Sequence, residues 1–109
     1  MAKKKPETIR KEIEKNLLEQ LVMRDADLEL YRDMVQDYMT LWDLKEQLKQ
    51  DVRDKGLRCE YATSTGSVER DNPSAKQLPV VNREMRAIIR DLGLTIEDVG
   101  SGGGGYVAL

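Results

Sequence analysis

One stretch constrains this chain more than any other. From Asp27 to Lys55 an amphipathic pattern runs without a Gly or Pro until Gly56 ends it. Tyr31, Met34, Tyr38, Leu41, Leu48 and Val52 recur at alternating steps of three and four, with Lys45 the one polar member of the series. Leu28, Val35 and Trp42 widen that seam into a stripe, as in an amphipathic helix that packs on more than one neighbour. Asp33, Asp37, Asp43, Glu46 and Lys49 fall on the other side and read as solvated. Asp25 or Asp27 is placed to cap the first amides. At 1.5 Å per residue the helix runs on the order of 40 Å, longer than a compact domain of this size is wide. It must protrude or find a partner. Tyr31, Met34, Tyr38, Leu41, Trp42, Leu48 and Val52 are therefore the expected oligomer interface.

Composition points the same way. A chain of 109 residues sets an expectation of one domain, yet 35% of it is charged, 39% is apolar, and it has one Trp and no Phe. That is a thin supply for a private core, so apolar area is expected to be buried between subunits as well. The open alternative is a small helical hairpin that folds alone. The chain has no His, and Cys59 is its only Cys, so zinc sites and Cys–His or Ser–His nucleophiles lack their groups. One unpaired Cys suits a reducing interior. No apolar run follows Met1 to Lys5, and none approaches membrane-spanning length, so a soluble intracellular protein without membrane contact is expected. No catalytic residue, metal or cofactor is expected.

Charge is unevenly placed. Met1 to Arg24 carries seven Lys or Arg against four Glu, whereas Asp25 to Gly56 carries nine acids against five bases. A single basic arm holds nucleic acid poorly, because phosphate contacts need concentrated positive charge. Several copies presenting the same arm would act together.

Along the chain, Met1 to Lys5 is a short basic arm, expected to be mobile, and Pro6 suits the first turn of a helix. Ile9, Ile13, Leu17, Leu18, Leu21 and Val22 predict that helix over about Glu7 to Met23, with Arg24, Asp25 and Ala26 as the joint to the next. A DNA-reading helix-turn-helix is not expected in so short an arm. Leu57, Cys59 and Tyr61 then alternate with Arg58 and Glu60, and Ser64 to Ser67 has turn chemistry. A β-hairpin over Leu57 to Arg70 follows, and it must pack on something, because an isolated hairpin is marginal. No Lys-Ser or Lys-Thr follows its glycine, so a P-loop is not supported. Asn72 and Pro73 read as the cap and first residue of a third helix carrying Leu78, Val81, Met85, Ile88 and Leu92. Pro79 is expected to kink that helix or restart it, and Gly93 to end it in a left-handed cap with Leu94 folding back. Thr95 and Asp98 can cap one more turn. Gly100 to Gly105 reads as a loose tether before Tyr106 to Leu109. The expected division is 1–24 for the basic arm and first helix, 25–99 for a helical core with its hairpin at 57–70, and 100–109 for a flexible tail. The fold class is mostly α: a long central helix, a shorter N-terminal helix, a small β-hairpin and a C-terminal helix, assembling as an oligomer.

The order of these features is itself informative. Asp37-Tyr38-Met39-Thr40-Leu41-Trp42-Asp43 lies in a long helix, followed by Gly56 and a hairpin bearing Gly66. Then come Asn72-Pro73-Ser74-Ala75-Lys76-Gln77-Leu78 and Leu92-Gly93-Leu94-Thr95. Over roughly Ala26 to Thr95 this resembles the small subunit of phage terminases, in the family called P27-like. The resemblance implies a non-enzymatic ring in the cytoplasm of the infected host. Such a ring recognises double-stranded viral DNA and hands it to the terminase large subunit, which holds the ATPase and nuclease. On that reading Lys3, Lys4, Lys5, Arg10, Lys11 and Lys15 form the DNA-facing surface, with Arg83, Arg86 and Arg90 of the third helix as the alternative. A helical oligomerisation or regulatory protein without DNA contact is the competing expectation.

Overall fold

A computed structural model of the chain describes residues 4–25 and 28–94. In order they form α1 (Pro6–Met23), α2 (Glu29–Lys55), β1 (Arg58–Thr63), β2 (Gly66–Asp71) and α3 (Pro73–Asp91). This is the mostly helical arrangement with one hairpin that the sequence predicts. The turn expected at Thr95 to Asp98, the residues from Gly100 to Leu109, Asp27 and Lys3 lie outside the described residues.

Local chemistry sets the element ends. Pro6 opens α1, where a missing amide proton is harmless, and Lys5 precedes it without a side-chain cap. At the other end Asp25 takes φ 54°, the one non-glycine among the described residues with a positive φ. Asp25 thus terminates α1 in a left-handed turn instead of capping α2, and its amide donates to the Val22 carbonyl at 3.1 Å. Gly56 (φ 82°) stops α2 in the same way, its amide donating to the Val52 carbonyl at 2.7 Å. After α3 the Leu94 amide donates to the Ile89 carbonyl at 3.1 Å and the Gly93 amide to that of Arg90 at 2.9 Å. With Gly93 at φ 74° and Leu94 buried, this is the folded-back cap expected there. α3 runs unbroken through Pro79, so that residue does not restart it.

The chain divides into two compact units, one of Met1–Thr40 with Arg86–Leu109, the other of Leu41–Met85. The first buries Ile13, Leu17 and Leu21 of α1, Val35, Tyr38 and Met39 of α2, and Leu92 and Leu94 beyond α3. Gln36 Nε2 donates to Glu14 Oε2 at 2.9 Å, joining α2 to α1, and Arg24 Nη1 donates to the Gly93 carbonyl at 2.5 Å. In the second unit Trp42, Val81 and Met85 are the buried apolar side chains, with Asn72 buried among the polar ones.

Part of the long seam of α2 is buried within the chain itself. Tyr38 and Trp42 are buried within this one chain, together with Val35 and Met39, while Tyr31, Met34, Leu41, Leu48 and Val52 are half-buried. Met39 adds a fourth position beside the 35, 38, 42 spacing, making the buried stripe wider than the narrow a/d edge of a two-stranded coil. Tyr38 and Trp42 therefore have little surface left to offer a second copy.

The hairpin differs from expectation. β1 and β2 pair antiparallel from Arg58↔Asp71 to Thr63↔Gly66, and every strand residue is exposed except the half-buried Cys59. Packing does not hold it. Arg58 Nε sits 2.8 Å from Glu69 Oε1 and its Nη1 2.9 Å from Asp71 Oδ1, an ion-paired cluster across the strands. Those carboxylates raise the Arg58 guanidinium above its ordinary value, Glu69 most. Ser64 and Thr65 keep negative φ, so Gly66 (φ 142°) alone supplies the reversal that the turn requires. A Cβ at Gly66 would meet no atom within 4 Å, so Gly66→Val costs backbone energy only, about 1–3 kcal/mol. Amide hydrogen exchange in β1 and β2 should accelerate by about fivefold or more, with the helices unchanged. Unaltered hairpin protection would show that residue 66 has no need of a positive φ.

Candidate nucleic-acid interface

The buried face of α1, defined by Ile13, Leu17 and Leu21, orients its charges. Asn16 and Gln20 share that face and are also buried. Lys11 and Lys15 stand on the outer side and are exposed. Arg10, seven residues before Leu17, is carried toward the inner side, where it is half-buried and engaged. The structure therefore does not gather Arg10 with Lys11 and Lys15 on one face.

Some of the remaining positive charge is already paired. Lys4 Nζ lies 3.0 Å from Glu12 Oε2, and Lys15 Nζ lies 3.8 Å from Glu19 Oε1. Both pairs are exposed, where such contacts contribute about 0–1 kcal/mol and exchange readily for other partners. Lys5 and Lys11 are exposed without an ion pair among the described residues. On α3, Arg83, Arg86 and Arg90 are all exposed, and Arg86 is engaged with a neighbour. The described residues hold no group of three or more His, Cys, Asp or Glu placed for a metal ion. No described helix is long and apolar enough to cross a membrane.

What this surface can do is hold phosphates through exposed ammonium groups, without base-reading geometry of its own. The family model for the small subunit of phage terminase matches residues 8–100. The chain belongs to the phage terminase small subunit family. No curated protein and no solved structure matches it. Membership places this small subunit in phage DNA packaging, in a family that is in general the non-catalytic partner of the terminase. The match spans α1 to α3, so the basic helix, the hairpin and the Asn72 junction all lie within the family's own extent.

Sequence reasoning missed two features of this small terminase subunit. Met39 is fully buried although it stands outside the 3.5-residue seam. Val22, Met23, Leu28 and Leu30, at the joint between α1 and α2, are exposed. The signal for the second was present in the sequence, as apolar residues on both sides of a charged turn.

Proposed function

We propose that this chain binds double-stranded viral DNA and presents it to the terminase large subunit as a homo-oligomeric ring, in the cytoplasm of the infected host and without catalytic activity of its own. The single observation that carries the reading is the family match over residues 8–100. The exposed Lys11 of α1 supports it, together with the exposed Lys4 and Lys5, which follow Lys3 directly in sequence ahead of the helix. Arg10 and Lys15 contribute less, the first engaged on the inner side and the second paired with Glu19. The motif order fits the P27-like branch. The half-buried Tyr31, Met34, Leu41, Leu48 and Val52 keep apolar area that a neighbouring subunit could cover.

A helical assembly protein without DNA contact is the second reading. It draws on the pairing of Lys4 with Glu12 and of Lys15 with Glu19, which leaves each arm only a modest excess of positive charge. Charge reversal separates the two. Changing Lys3, Lys4 and Lys5 together to Glu should weaken binding to every duplex sequence, with the oligomer intact. The slope of log affinity against log salt should flatten by about one unit for each phosphate that is no longer neutralised. A fluorescence anisotropy titration over a salt series measures both. Unchanged affinity and slope would remove the arm from the DNA surface.

A further inference from the structure

Four large apolar side chains cluster within nine residues and stay in solvent: Val22 (57% exposed), Met23 (75%), Leu28 (64%) and Leu30 (67%). All belong to the first compact unit. Val22 lies on the outer side of α1, where Lys11, Lys15, Leu18, Glu19 and Met23 border a shallow groove. Exposed apolar side chains this dense in sequence on a small, highly charged chain point to an interaction surface.

The complement of that groove is on the same chain. On α2 the exposed Leu30, Asp33 and Asp37 recur at steps of three and four, opposite the buried Val35 and Met39. The Asp33 and Asp37 carboxylates have no ion pair or hydrogen bond among the described residues. Lys15 precedes Val22 by seven residues, and Asp37 follows Leu30 by seven, so each charge stands about 10.5 Å from its apolar neighbour. Laid antiparallel, the two faces bring apolar against apolar and ammonium against carboxylate.

We propose that the outer face of α1 receives the outer face of the first half of α2 from a second copy of this chain, with Leu30 on Val22 and Met23, and Asp37 on Lys15. Each copy carries one of each face, so the contact closes as a two-fold pair where both faces of two copies engage each other, and propagates toward a ring where each copy gives its two faces to different neighbours. Lys15 exchanges its long, exposed contact to Glu19 for Asp37, at little cost. Charge matching at the edge fixes the register, and the apolar cluster supplies the attraction. The inference deepens the assembly part of the proposed function and does not rest on DNA binding.

Sedimentation velocity of the full chain without DNA tests it, with circular dichroism as the check that each variant keeps its helices. The wild-type chain should form an oligomer at micromolar concentration. Leu30→Asp and Lys15→Glu should each weaken association by about tenfold or more. The double variant Lys15→Glu with Asp37→Lys should regain wild-type size, a rescue that general loss of packing could not produce. A monomeric wild type, an oligomer indifferent to Leu30→Asp, or a double variant no better than Lys15→Glu alone would each overturn the proposal. A wild type that assembles this way but ignores duplex DNA would leave it standing and defeat the DNA reading instead.

Discussion

Trp42→Ala should lower the stability of this chain by about 3–5 kcal/mol, the usual loss for a buried aromatic truncated to a methyl group. The indole is 7% exposed, and among the described residues of its unit the only other buried apolar side chains are Val81 and Met85. With so few partners, the void left by the ring has little from which to refill. The thermal midpoint should fall by about 10 °C or more. Circular dichroism in a denaturant series measures the change without relying on tryptophan fluorescence. The same experiment decides whether Trp42 serves the chain or its neighbour. A side chain in the chain's own core gives a loss independent of protein concentration. One in a subunit contact gives a midpoint that rises with concentration. A loss below about 1 kcal/mol would mean the indole is not buried in solution.

Asn72→Ala should cost about 2–4 kcal/mol through polar interactions alone. Asn72 is 2% exposed and holds three segments together. Its Oδ1 accepts the Ser74 amide proton at 3.0 Å, capping α3, while its Nδ2 donates to the Gly56 carbonyl at 2.9 Å. Its backbone amide donates to the Leu57 carbonyl at 2.7 Å, closing the base of the hairpin. Alanine removes a helix cap worth about 0.5–2 kcal/mol and strands a carbonyl whose desolvation costs about 1–3 kcal/mol. Asn72→Ser separates the two effects, because a serine hydroxyl caps the helix but is too short to reach Gly56. It should recover the capping part only. Equal unfolding midpoints for the alanine and serine variants in urea would argue that the cap contributes nothing.

Beside Asn72, the Ser74 hydroxyl donates to Asp51 Oδ2 at 2.7 Å, and Lys55 Nζ lies 3.1 Å from Asp51 Oδ1. These contacts, the hydroxyl foremost, hold the Asp51 carboxyl below its ordinary value. A depressed carboxylate stabilises the fold above its unfolded pKa. That contribution should fade as pH falls below about 4 and through the folded value.

The ends of the elements were legible residue by residue. Pro6, Gly56, Asn72-Pro73 and Gly93-Leu94 each act through backbone geometry or one short hydrogen bond, and such chemistry depends on neighbours in sequence. The helices and the hairpin followed for the same reason, since periods of 3.6 and 2 are local. The proposed DNA surface was legible only as a set of cations. A count of charge says nothing of which side of α1 faces inward, and Arg10 turns in while Lys11 and Lys15 turn out. Nor could the stripe on α2 say which of its members meet the chain's own core. The stripe is wider than one neighbour needs, so several choices bury similar apolar area. The tertiary packing took Val35, Tyr38, Met39 and Trp42 inward and left Leu28 and Leu30 at the joint in solvent. Sequence determined that α2 would be long and amphipathic. Which of its faces is spent within the chain was decided only when α1 and the end of α3 shared a core with it, because burial is a property of what arrives opposite a side chain and not of the side chain itself.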